Sequence, residues 1–151
     1  MWQMTEDRAD ATDRPQPAPL ELALDRVGDR WSLLVIESLL DGPRRFGELS
    51  EAVGGIATNI LSDRLRRLER ARIVRPTPYQ ERPTRLEYAL TADGIELAGA
   101  LRLLADWGAR RGSDVETLRH EPCGTPLEAR WYCPTCARSV DDEEGSALRS
   151  V

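Results

Sequence analysis

The sequence predicts a mainly α-helical domain with a small antiparallel β-hairpin, followed by a short cysteine-rich appendage. Three observations carry this. Apolar residues recur at helical spacing in successive segments between Leu20 and Gly108. Leu86, Tyr88 and Leu90 alternate with Arg85, Glu87 and Ala89 at the period of a strand. All three cysteines and the single histidine fall between His120 and Cys136.

Residues 1–19 are polar, with Pro15, Pro17 and Pro19, and read as a disordered arm. The first helix carries Leu20, Ala23, Leu24 and Val27 on one stripe and stops at Gly28. Asp29 is placed to cap the next, Trp31 to Leu40, with Leu33, Leu34, Ile36, Leu39 and Leu40 inward and Trp31 packed as core. Asp41-Gly42-Pro43 ends that helix, glycine supplying a left-handed residue. Phe46, Leu49 and Val53 line a short third helix closed by Gly54-Gly55.

Thr58 caps a longer fourth helix whose buried stripe is Leu61, Leu65 and Leu68. Arg67 and Arg70 are expected to pair with Asp63 and Glu69 or to be solvated. An extended run, Ile73 to Tyr79, then meets the alternating strand through a Gln80–Thr84 connection. Pro76 and Pro78 lack N–H donors and assign the first strand to an edge. Thr91 caps a last helix over 92–111, whose face of Ile95, Ala98, Leu101, Leu104, Ala105 and Gly108 has no evident partner within so small a domain. Short helix, turn, longer basic helix and hairpin make a winged helix-turn-helix over residues 20–111.

Charge supports the same reading. The net charge is −5, yet residues 30–85 hold eleven arginines against seven acids between two acidic ends. A local basic surface, rather than the total, attracts a polyanion. The acidic N-terminus has no apolar core for a secretory signal and no apolar run is long enough for a membrane span, which predicts a cytoplasmic protein with no membrane partner. Catalysis is disfavoured: the chain has no lysine, no glycine-rich phosphate loop, and a single histidine already placed beside cysteines.

From Leu20 to Arg111 the chain resembles the HxlR-type winged-helix regulators, through the segments RVGDRWSLLVIESLLDGPRRFGELSEAV, LSDRLRRLERARIV and RLEYALTADG. The resemblance implies a homodimer whose two recognition helices reach successive major grooves of double-stranded DNA. The dimer is expected to form through the first helix and helix 92–111, and an unidentified small-molecule effector is a further candidate partner. Two positions depart from the family. Its members often carry a cysteine before the proline opening the first helix, where this chain has Ala18 before Pro19, so thiol sensing at that position is not open to it. A glycine is common after the recognition helix, where Arg72 stands; an arginine disfavours a left-handed backbone, so a longer helix or a different turn is expected there.

The candidate DNA-contacting residues divide by role. Thr58, Asn59 and Ser62, at the start of the fourth helix, are placed for base edges, and Arg66 for a guanine or a phosphate. Arg44 and Arg45 are read as phosphate clamps. On the wing, Arg82 is assigned to the minor groove or backbone and Arg85 to support of the hairpin. The competing reading is a protein-interaction scaffold built on the winged helix and a zinc ribbon.

His120, Cys123, Cys133 and Cys136 follow the spacing H-x2-C-x9-C-x2-C within residues 112–140. Two such knuckles supply four ligands suited to tetrahedral, structural Zn2+, with Leu127, Trp131 and Tyr132 expected to pack around it. Residues 141–151 read as an acidic disordered tail.

Overall fold

The computed structural model describes residues 17–112 and 117–140. The proposed arm, apart from its last three residues, and the acidic tail lie outside these. Helices α1 (Pro19–Val27) and α2 (Arg30–Ser38) lead into a two-residue strand β1 (Arg44–Arg45). Helices α3 (Phe46–Val53) and α4 (Thr58–Arg70) follow, then strands β2 (Val74–Glu81) and β3 (Thr84–Leu90). Helices α5 (Ala92–Glu96) and α6 (Ala98–Ala109) precede a separate hairpin, β4 (Trp131–Cys133) and β5 (Arg138–Val140).

The core forms where α2, α3, α4 and the base of the hairpin meet. Val35, Ile36, Leu49, Leu61, Leu65, Leu68, Ile73 and Val74 are nearly or wholly buried there. The α4 stripe is as expected. On α2 the inward face is turned slightly: Val35 is fully buried, whereas Leu33, Leu34 and Leu40 are only half-buried. The helix ends near Ser38, earlier than the apolar pattern suggests, and Gly42 has a φ of +133° in the turn that follows. Trp31 packs partly buried against the core, with the Arg30 guanidinium over its ring.

The sheet order is β1–β3–β2, all antiparallel. β2 is therefore an edge strand, which suits its two prolines. β1 is unforeseen by the sequence reading; it adds Arg44 opposite Tyr88 and Arg45 opposite Glu87. The hairpin connection is tighter than expected, because Gln80, Glu81 and Thr84 belong to the ladder and only Arg82-Pro83 forms the turn.

The corner after α4 also corrects the sequence reading. Arg72 does adopt the left-handed conformation, with φ +60°. The N–H of Arg72 donates to Glu69 O and that of Ile73 to Leu68 O, both at 2.9 Å, while Leu68 and Ile73 are both buried. This is the hydrogen-bond pair and apolar contact of a Schellman cap. Tertiary packing thus overrides a backbone preference of about 1–2 kcal/mol. The next helix is locked to this corner: Thr91 Oγ1 donates to Arg72 O at 2.6 Å and accepts from the Gly94 N–H at 3.1 Å.

The last helix is divided at Leu97 into α5 and α6. Leu101 packs on the core, but Ile95, Leu103, Leu104 and Trp107 are exposed, as are Leu20, Leu22 and Leu24 of α1. No helix among the described residues is long and apolar enough to cross a membrane.

Candidate nucleic-acid interface

Helix α4 presents one polar surface. The buried stripe of Leu61, Leu65 and Leu68 fixes its rotation, leaving Thr58, Asn59, Asp63, Arg66 and Arg70 exposed and Ser62 half-exposed. A helix of this width fits the major groove of B-form DNA. Its N-terminus differs from the expected one: Ala57 is the cap residue and Thr58 is already helical. Ile56, before the cap, and Leu61, four residues after it, are both buried, forming a hydrophobic staple that sets where the helix begins. Ala57 has no side-chain acceptor, so the amides of the first turn are left for solvent or an incoming anion. The turn from α3 runs through Gly54 and Gly55, with φ values of +57° and +72° that other residues adopt only at a cost.

Two arginines of α4 brace the helix rather than extend its surface. Arg64 Nε donates to Asp29 Oδ1 at 2.8 Å, and Arg64 Nη1 to Asp63 Oδ2 at 2.6 Å. Arg67 Nη2 donates to the Asp25 carbonyl of α1 at 2.8 Å, a tie to a distant helix in place of the expected pairing with Asp63 or Glu69 or simple solvation. Asp29 also accepts from the N–H groups of Trp31 and Ser32 and from Ser32 Oγ, so one carboxylate caps α2 and anchors α4. Burial alone would raise its pKa. The hydrogen bonds from Ser32 and the Arg64 guanidinium outweigh that and hold it below the ordinary carboxylate value. Arg64 escaped the sequence reading, although its spacing from Leu61 and Leu68 puts it at the edge of the buried stripe. A charge at such a position signals a partner.

The remaining basic residues flank α4. Arg45 is exposed at the start of α3, its N–H bonded to Glu48 Oε2 at 2.6 Å and its guanidinium 4.2 Å from the centre of the Tyr79 ring. It therefore links the helix-turn-helix to the wing. Arg44 is more committed than a free phosphate clamp: its Nε donates to the Ser38 carbonyl at 2.6 Å, and Asp41 lies 3.5 Å from its Nη2. Arg82 and Arg85 are exposed at the wing tip, where Gln80 Nε2 donates to the Arg82 carbonyl. Tyr88, within β3 and opposite Pro76, is half-buried. Burial first, and the nearby Glu69 carboxylate second, push its phenol pKa up.

The cysteine segment lies elsewhere, beside α6. Leu118 and Leu127 line a groove there with Gly99, Leu103 and Asp106. His120 Nδ1 is 3.2 Å from Cys123 Sγ, and Cys133 and Cys136 share a thiol hydrogen bond. No three potential ligands converge among the described residues. Trp131 and Tyr132 are exposed rather than packed around a centre. The Cys123 thiol is drawn below its ordinary pKa by the side chain and amide of Thr125, and that of Cys133 by the amide and thiol of Cys136, whereas Cys136 is raised by its donation to Cys133.

This arrangement defines a winged helix-turn-helix protein of the transcription-regulator class. The HxlR-like helix-turn-helix family pattern matches residues 26–116, and the chain belongs to that family. It is 34% identical over 152 aligned positions to the uncharacterised HTH-type transcriptional regulator Rv3095 of Mycobacterium tuberculosis strain H37Rv, covering 94% of this chain and 95% of that one. The solved reduced form of the Bacillus subtilis regulator YodB superposes with a TM-score of 0.55 at 33% identity, over 64% of this chain and 96% of YodB. The oxidised form of the redox regulator HypR gives a TM-score of 0.59 at 32% identity, over 65% of this chain and all of HypR (100%). These relatives regulate transcription, and the chain is a regulator rather than an enzyme.

Proposed function

We propose that the chain acts as a sequence-specific DNA-binding regulator of transcription, as a homodimer, with α4 in the major groove and the β2–β3 wing on the adjacent backbone or minor groove. The observation that carries this is the α4 surface: a rigidly braced helix whose outward face is wholly polar, with Asn59 and Arg66 exposed. Asn59 offers the amide pair that matches adenine, and Arg66 the fork that matches guanine. Thr58 and Ser62 are placed to add contacts beside them, although the Ser62 hydroxyl already donates to the Thr58 carbonyl. Arg45, Arg82 and Arg85 supply positive charge along the flanks, while Arg44 serves chiefly to tie β1 to the end of α2.

The homodimer is supported by exposure. Leu20, Leu22 and Leu24 of α1 and Leu103, Leu104 and Trp107 of α6 are each 41–69% accessible. Apolar surface of this extent on a monomer marks a partner surface. A twin copy joined there would hold two α4 helices for half-sites one helical turn apart.

The test is selection of fragments of the source genome bound by the full chain, followed by titration with salt. Recovery of a common pseudo-palindrome, with affinity falling steeply as salt rises, is expected. A chain that retains no fragment, or binds without salt dependence, refutes the reading and favours a protein scaffold.

A further inference from the structure

The cysteine segment contains the same turn twice. In the first, the His120 N–H donates to the Thr125 carbonyl, pairing a residue with the one five positions on. In the second, Cys133 pairs with Arg138, again five positions on. The outer ligand pairs occupy the same places, His120 with Cys123 and Cys133 with Cys136. In each turn the residue after the second ligand has a positive φ, +68° at Gly124 and +52° at Ala137. Both turns sit at the tips of antiparallel pairs, Arg119 opposite Pro126 in one and β4 with β5 in the other. Each directs backbone amides at sulfur: Thr125 N–H at Cys123, and Cys136 and Thr135 N–H at Cys133.

Repetition of one backbone geometry in two unlike sequences, HEPCGT and CPTCAR, needs a common cause. Neither turn is stabilised by a core, since His120, Cys123 and Cys136 are exposed. The turn brings two ligand atoms together and points amide dipoles at the thiolate, the arrangement that a tetrahedral N/S-coordinated ion requires. The separation agrees. Zn–S near 2.3 Å and Zn–N near 2.0–2.1 Å put adjacent tetrahedral ligands about 3.6 Å apart, and His120 Nδ1 lies 3.2 Å from Cys123 Sγ. Each turn therefore offers a two-ligand half-site; the halves stand apart in this structure, and an ion would have to draw the second turn onto the first.

We propose that His120, Cys123, Cys133 and Cys136 bind one Zn2+ per chain, which joins the two turns into a closed structural ribbon lying against α6. Binding releases protons from those thiols still protonated, and the four donors leave no position for a substrate. The joined ribbon would hold Leu118 and Leu127 in their groove beside Leu103, next to the exposed α6 surface.

The experiment is anaerobic titration of the reduced, metal-stripped full chain with Co2+, followed by displacement with Zn2+. Saturation at one Co2+ per chain, intense tetrahedral visible bands and thiolate-to-cobalt charge transfer are expected. Cys123→Ser, Cys133→Ser and Cys136→Ser should each reduce the charge-transfer band and weaken binding at least tenfold. His120→Ala should keep that band while altering the visible ones. Zn2+ should also slow hydrogen exchange across 118–140 without changing the helical circular dichroism of the rest. Weak octahedral spectra, one ion per two chains, or unchanged affinity in any of these variants would overturn the proposal.

Discussion

The link between Asp29 and Arg64 gives the most quantitative test of how α4 is held. Both side chains are about a quarter exposed, at 25% and 23%, so the pair is neither a freely solvated bridge nor a fully buried one. A charge-assisted hydrogen bond contributes about 1.5–3 kcal/mol when well shielded, and exposed pairs contribute about 0–1. The geometry at 2.8 Å and the partial exposure place this one near 1 kcal/mol.

Arg64→Met keeps the aliphatic stem and removes the charge. Asp29 then retains its bonds from Trp31 and Ser32, so the carboxylate is not orphaned. A loss of about 1–1.5 kcal/mol is expected, lowering Tm by about 4–12 °C for a domain of roughly ninety residues. Asp29→Asn keeps a capping acceptor and removes the negative charge, with a similar cost. In urea denaturation the double variant should be less destabilised than the sum, by about 1 kcal/mol. The pH dependence follows from the sign of the shift. Because the Asp29 pKa is lowered on folding, its stabilisation is present above the unfolded value, near 3.8, and is lost as pH falls through the lower folded value. Arg64→Met should flatten that acid limb. Strict additivity in the cycle, with an unchanged acid limb, would refute the assignment of Asp29 as the joint between α2 and α4.

Other expectations concern the corner, the α4 surface and the apolar faces. Gly94→Ala should destabilise by about 2–3 kcal/mol, since a Cβ there would stand 2.3 Å from the Ile73 carbonyl oxygen, seen as a lower urea midpoint. Arg72→Gly should stabilise by about 1 kcal/mol, because it relieves a left-handed arginine, and calorimetry would show a raised Tm. Arg66→Ala should weaken binding to a selected fragment by about 1–3 kcal/mol in fluorescence anisotropy if it reads a base, whereas an unchanged affinity removes it from the interface. Leu104→Glu, on a residue 53% exposed, should leave the monomer folded and shift sedimentation velocity from dimer to monomer.

What the sequence made legible was local. Leu61, Leu65 and Leu68 declare their face by spacing alone, and Gly28, Asp29 and Thr91 mark helix ends through chemistry confined to a few neighbouring residues. What escaped depends on distant parts of the chain. The Asp29–Arg64 pair spans 35 positions, and β1 is too short at two residues to show any period. Thr58 was misplaced because the start of α4 is set by Ile56 and Leu61 packing together, which outweighs the capping preference of a threonine. Arg72 shows the same order of strength, its backbone preference yielding to burial of Leu68 and Ile73. In the cysteine segment the H-x2-C and C-x2-C spacings are legible in the sequence, while the repeated backbone register of the two turns emerges only in three dimensions.

Hydroxyl-radical footprinting of the full chain on a selected fragment shows whether two copies of α4 engage DNA together, as proposed. Two protected half-sites on one face of the duplex, about one helical turn (10–10.5 bp) apart, both lost together in Leu104→Glu, is the expected pattern. A single protected site that survives in the monomeric variant, or no protection at all, would contradict it.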